Sequence, residues 1–216
     1  MTGQKRKPSR EEIRESLRKR HGERTQRVLE NSKVAVAGLG GLGSHVAVML
    51  ARAGVGSLHL IDFDRVDLSN LNRQEYWISQ LGQYKTEAMR EILLEINPYL
   101  CLKTDTVRLD EQNILEIFEE DPIVCEAFDR AENKAMLINT LLAGRKDVMI
   151  VAASGMAGCH PSHTIQTVQK MKRLYVCGDE KNGIEEGESL MAPRVTICAA
   201  HQANMIIRLL LGETKV

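Results

Sequence analysis

Gly38, Gly40 and Gly43 stand in a G-x-G-x-x-G spacing, and Asp62 follows 19 residues after the last of them. Glycines let a backbone approach an anion, and the free N–H groups opening the next helix carry the positive end of its dipole, so such a turn binds phosphate. A carboxylate ending the next strand accepts ribose hydroxyls. Together they fit an adenosine nucleotide, NAD as well as ATP. The stretch "DFDRVDLSNLNRQ" then adds Asp64, Asn70, Arg73 and Gln74, and Lys85 and Asp129 come later. A hydride-transfer site has little need of Arg73 and Lys85, whereas a triphosphate must be neutralised before a nucleophile can approach phosphorus. Arg73 offers a planar fork for two phosphate oxygens and Lys85 a compact cation. Asp129 offers a carboxylate to Mg²⁺, with Asp64 as a second candidate. The competing role for Asp129 is to cap the helix that starts near Arg130.

These residues need a scaffold that gathers them at one edge. "SKVAVAGLGGLGSHVAVMLARAGVGSLHLIDFD" reads as strand, glycine turn, helix, strand. Helical spacing over 85–96 stops at Asn97-Pro98. A strand near 99–109, an acidic-faced helix over 110–119 with an N-cap aspartate, the strand "PIVCEAFD", a helix over 130–143 and the strand "DVMIVAAS" follow. Alternation of this kind predicts an α/β fold, a Rossmann-like, doubly wound, mostly parallel sheet. Past Ser154, "HTIQTVQ" and "RLYVC" lack an intervening helix and predict an antiparallel C-terminal extension. The glycine-rich, acidic stretch 178–189 reads as a mobile surface loop, and a long helix with an early proline closes the chain at Gly212.

The 216 residues, 43% hydrophobic and 27% charged, suffice for one substantial core. Residues 1–30 hold ten Lys/Arg against five Asp/Glu, while the whole chain is formally neutral. This basic arm lacks the interleaved aromatics of a nucleic-acid binder and reads as an amphipathic helix, giving an N-terminal helical arm over 1–27 and one domain over 28–216. No apolar run is long enough to span a bilayer, and the N-terminus is charged, so a cytoplasmic protein is expected. The five cysteines, 101, 125, 159, 177 and 198, form no C-x-x-C pair. No structural zinc is therefore expected, and His160 and His163 beside Cys159 fit no zinc template.

"GLGGLG", "DFDRVDLSNLNRQ", the lysine of "LGQYKTEAM" and the aspartate of "EAFDRAENK" together resemble the ThiF/MoeB branch of the E1-like adenylyltransferases, nearest to the short ThiF-type proteins of thiamin biosynthesis. The resemblance implies that the C-terminal carboxylate of a small ubiquitin-like sulfur carrier with a Gly-Gly tail attacks the α-phosphate of ATP. It implies nucleotide contact for Gly38, Gly40, Gly41, Gly43, Asp62, Asp64, Ser69, Asn70, Leu71, Asn72, Arg73, Gln74 and Lys85, and Mg²⁺ at Asp129. It implies a homodimer in which an N-terminal arginine reaches the partner's nucleotide. Arg14 has the corresponding spacing, with Arg10, Arg18 and Arg20 close by. Some relatives form a covalent link through a cysteine. Cys177 in "YVCGD" is the first candidate here and Cys159 the second, each against a plain structural role. A different carboxylate (a molybdopterin-type carrier, a peptide or a tRNA base), a non-catalytic carrier-binding scaffold and an NAD-binding oxidoreductase are the competing readings.

Overall fold

A computed structural model describes residues 6–183 and 189–216. Part of the expected 178–189 loop, residues 184–188, lies outside them. Helix α1 (Arg10–His21) opens with a capping box: the Ser9 hydroxyl accepts from Glu12 N, and the Glu12 carboxylate accepts from Ser9 N. Gly22, at φ 83°, breaks the helix. A second helix that the sequence reading missed, α2 (Glu23–Glu30), buries Gln26 and Leu29. The expected 27/28 boundary thus falls inside α2, whose Leu29 belongs to the main core.

The strands β1 (Lys33–Ala37), β2 (Ser57–Ile61), β3 (Cys101–Asp105), β4 (Ile123–Glu126), β5 (Met149–Ala153), β6 (Gln166–Met171) and β7 (Leu174–Gly178) form one sheet in the order β3-β2-β1-β4-β5-β7-β6. All neighbours pair parallel except β6 with β7, so the antiparallel extension is a hairpin whose inner strand still runs with the sheet. Alternate side chains of β1 feed the two cores. Val34 and Val36 join α3 (Gly41–Ala53), α4 (Lys85–Ile96) and α7 (Ala192–Leu210) on one face. Ala35 and Ala37 meet α6 (Ala131–Gly144) and the short α5 (Ile114–Ile117) on the other.

Helix α5 is shorter than the expected 110–119, because Asp110 accepts from the N–H groups of Gln112 and Asn113 and closes a turn in its place. The register sets the site. Ala37 pairs with Ile61 and with Glu126, so Gly38, Asp62 and Ala127 leave the sheet at one level. The chain departs from β1 towards β2 on one side and β4 on the other, which opens a crevice at the carboxyl edge.

Candidate active site

A cleft of about 570 Å³ occupies that crevice. It is lined by Gly38, Gly40, Gly41, Asp62, Asp64, Asn70, Arg73, Gln74, Lys85 and Asp129, residues spread over 92 positions of sequence. The glycine turn is held from two sides. Asp62 accepts from Leu39 N at 2.6 Å and from Asp64 N at 2.7 Å, while the buried Tyr76 hydroxyl donates to the Leu39 carbonyl at 2.8 Å. Gly40 caps α3 without any side-chain bond, leaving that helix end facing the cleft. A Cβ at Gly40 would meet nothing nearer than Gln74 Nε2 at 3.9 Å, so the space before it is open to a ligand. Gly43 serves packing instead. A Cβ there would fall 1.8 Å from the Gly38 carbonyl oxygen, so this glycine lets α3 lie against β1 and does not line the cleft.

The charges are arranged around this frame. Burial pushes the Asp62 carboxyl up from its usual range, despite the Lys85 charge and the two amide donors. Lys85, buried at the first turn of α4, places Nζ 3.0 Å from Asp64 Oδ2, and Asp64 is half exposed. Arg73 donates from Nη1 to the Ser69 carbonyl at 3.0 Å and to Asn72 Oδ1 at 2.8 Å, and its buried Nε has no partner among the described residues. The same is true of Gln74 Oε1. Asp129 is exposed into the cleft and makes no hydrogen bond or ion pair among the described residues. It does not cap α6; Arg130 occupies that position with no side-chain bond.

A family model described as the ThiF family matches residues 14–216. The chain belongs to the ThiF family. Its relatives include the molybdopterin-synthase adenylyltransferase of Escherichia coli K12, 33% identical over 197 residues that cover 88% of this chain and 77% of that protein. The adenylyltransferase and sulfurtransferase UBA4 of Vanderwaltozyma polyspora is 37% identical over 129 residues, 59% of this chain and 29% of its own. Among solved structures, E. coli tRNA N6-threonylcarbamoyladenosine dehydratase in complex with ATP superposes with a TM-score of 0.83 at 20% identity, over 92% of this chain and 93% of that one, a likeness of fold. E. coli MccB with ATP gives a TM-score of 0.68 at 25% identity over 88% and 59%. By family and by the names of its relatives, the protein is an E1-like adenylyltransferase.

Several expected residues of this ThiF-family site support the cleft without lining it. Ser69 and Asn72 hold Arg73, Asn72 also donates to the Leu190 carbonyl at 3.3 Å, and Leu71 packs on the core. Arg14 lies on α1, ion-paired with Glu30 and, at 3.8 Å, with Glu11, and does not line the cleft. Cys177 does not precede the loop as a reactive thiol. It is fully buried in β7, where burial pushes its pKa up to about 11, so the thiolate that a covalent link requires is scarce at neutral pH. Cys159 is exposed, on the segment between β5 and β6.

Sequence reasoning missed the opposite wall. Glu126, wholly buried at the end of β4, accepts from Phe128 N at 2.7 Å and from Lys134 Nζ at 3.0 and 3.2 Å, and Lys134 lines the cleft. Lys134 stands in the quoted "EAFDRAENK", on the first turn of α6, which was its only signal. Phe63, Val107, Leu109 and Met136 provide apolar lining suited to a base. Among the described residues no helix is long and apolar enough to cross a membrane.

Proposed function

We propose that the cleft binds ATP and directs the C-terminal carboxylate of a small, ubiquitin-like, glycine-tailed sulfur carrier onto its α-phosphate. A carboxylate oxygen forms a bond to phosphorus, the bond to the bridging oxygen of the β-phosphate breaks, and pyrophosphate leaves with that electron pair; the product is an acyl-adenylate. The substrate carboxylate is already ionised at neutral pH, so no side-chain base is needed. Alignment and charge stabilisation are what remains for the protein to supply.

The observation that carries this reading is the convergence of Arg73, Lys85 and Asp129 on the uncapped end of α3. The helix end and Arg73, whose buried Nε has no partner among the described residues, hold phosphate oxygens. Lys85 offsets charge at the α-phosphate and the leaving group, and Asp62 takes the ribose. Asn70 and Gln74 complete the polar wall, and the glycine tail enters where side chains would clash.

Magnesium fits the residues present. Among the described residues no cluster of three His, Cys, Asp or Glu could hold a metal alone. Asp129 has a carboxylate at the cleft that no described residue uses, and Asp64 has a half-exposed one; Mg²⁺ takes one or two such oxygens together with nucleotide phosphates and water. When bound, it would neutralise phosphate charge.

The molybdopterin-synthase relatives make a molybdopterin-type carrier a substrate to set beside the thiamin-type carrier expected from the sequence. A homodimer in which Arg14 meets the partner's nucleotide belongs to the same reading. Exchange of labelled pyrophosphate into ATP, dependent on Mg²⁺ and on one of the two carriers, tests it. Exchange that ignores both carriers, or full exchange by Arg73→Ala, would sink it.

A further inference from the structure

Arg73 can hold phosphate only if its backbone is fixed, and that backbone lies on an irregular turn between two short 3-10 turns, 68–70 and 78–80. What fixes it comes from the second turn of α3. His45 Nδ1 lies 2.6 Å from Glu75 Oε1, and Nε2 lies 3.2 Å from the Arg73 carbonyl oxygen and 3.3 Å from the Thr196 hydroxyl of α7. Next to it, Ser44 Oγ accepts from Glu75 N at 3.3 Å. The Arg73 carbonyl and the Glu75 carboxylate can only accept, so each of these contacts is a hydrogen bond when the ring nitrogen facing it carries the proton. The His45 hydrogen bond holds the Glu75 carboxyl below its usual range, against the opposing effect of its partial burial.

The contact is close to the phosphate turn. A Cβ at Gly41 would stand 3.6 Å from both Arg73 Cγ and the Arg73 carbonyl oxygen, so the 73–75 turn rests directly on the start of α3. His45 therefore ties the guanidinium-bearing turn to the same helix whose end faces the cleft.

We propose that His45 is a positioning residue for nucleotide binding: anchored by Glu75, it fixes the Arg73 backbone so that the guanidinium points at the phosphates. This rests on the reading of the cleft as an ATP site. His45 does not line the cleft, so its effect on the nucleotide passes through Arg73.

The test exploits side-chain length. In His45→Asn the amide nitrogen stands where Nδ1 did and meets Glu75 but falls short of Arg73; in His45→Gln it reaches the position of Nε2. In carrier-dependent pyrophosphate exchange, His45→Asn raises the KM for ATP about ten-fold, the size of one hydrogen bond, with kcat changed less than about three-fold. His45→Gln recovers most of that loss. Glu75→Leu, at a partly exposed side chain, removes the anchor while keeping the imidazole, and moves the ATP KM in the same direction. Thermal melts of each variant separate this from loss of folding. An unchanged ATP KM in His45→Asn, or Gln no better than Asn, overturns the proposal.

Calorimetric ATP titration separates the two levels. Wild-type protein that takes up no ATP ends the reading of the site and the role of His45 with it. Uptake by wild type that is weakened in Arg73→Ala but untouched in His45→Asn ends the role of His45 alone.

Discussion

Strand β2 carries two clusters of charge three residues apart, and they are built on opposite plans. Just past its end stands Asp62, which with Asp64 and Lys85 opens onto the cleft. Its middle holds His59, wholly buried, with Nδ1 2.6 Å from Asp121 and Nε2 2.7 Å from Asp105. Lys33 lies 3.2 Å from Asp121, and Lys103 lies 3.3 Å from Asp105. Both ring nitrogens of His59 have carboxylate partners, and each carboxylate has a cation beside it. The cleft, by contrast, leaves Arg73 Nε, Gln74 Oε1 and the whole Asp129 carboxylate unused by the described residues. Asp121 Oδ1 is held by its Lys33 ion pair alone, so what sets the cleft apart is that its open groups face one cavity, where a ligand can meet them.

The sharpest break in that comparison is to remove a charge from each cluster and read activity and stability separately. Arg73→Ala and Asp129→Asn should lower kcat/KM in pyrophosphate exchange by about 10²- to 10³-fold, the range for deleting one electrostatic contact at a transition state. Their melting temperatures should stay within about 2 °C of wild type, because neither side chain closes a network. A drop in melting temperature matching the loss of activity would erase the distinction between the clusters.

His59→Ala should show the reverse. Removing one member of a buried charged set leaves the others uncompensated and costs about 3 kcal/mol or more, which lowers the melting temperature of a chain this long by roughly 6–12 °C. ATP affinity, measured below the transition by calorimetry, should be unchanged. Weakened nucleotide binding in the folded variant would mean that the closed cluster also supports the cleft.

How legible each cluster was in the sequence follows the same line. The cleft was largely readable, since the glycine turn, Asp62 and the 62–74 stretch owe their positions to a β-turn-α-β unit whose geometry is local. Lys85 was readable as the first turn of a strongly periodic helix. The His59 cluster was not, because it joins β2, β3 and the turn before β4 across 62 residues, and nothing local marks a histidine as facing two aspartates. Cys177 failed as a reactive candidate for a related reason. The glycine and aspartate after it read as a loop, but it lies on the penultimate strand, in register with Ala153 of β5 and Thr167 of β6, and both faces are covered. The hold of His45 on Arg73 spans 28 residues and depends on a side chain meeting a backbone carbonyl, which no residue pattern announces.

The smallest expected effect is also the most diagnostic, because the two clusters move their aspartates in opposite directions. Burial raises the Asp62 carboxyl above its ordinary range, and neither Lys85 nor the two amides cancel it. Burial also pulls on Asp121, but the hydrogen bond and charge of His59, with those of Lys33, outweigh it and leave that carboxyl lowered. The signs then differ. Asp121 contributes stability that is present above the unfolded carboxylate value of about 3.9 and is lost as the pH falls through its folded value. Asp62 is ionised less readily folded than unfolded, so it costs stability at neutral pH, and that cost is relieved as the pH falls through its folded value towards the unfolded one. Carboxyl carbon titration by NMR should place Asp62 above and Asp121 below the ordinary aspartate value. In acid unfolding, Asp121→Asn should flatten the loss of stability below about pH 3.9, whereas Asp62→Asn should steepen the curve just above that value, since it removes a contribution that grows with acid. Matching titrations for the two residues would mean that the open cluster is already neutralised from within, and the case for a ligand-directed cleft would lose its electrostatic half.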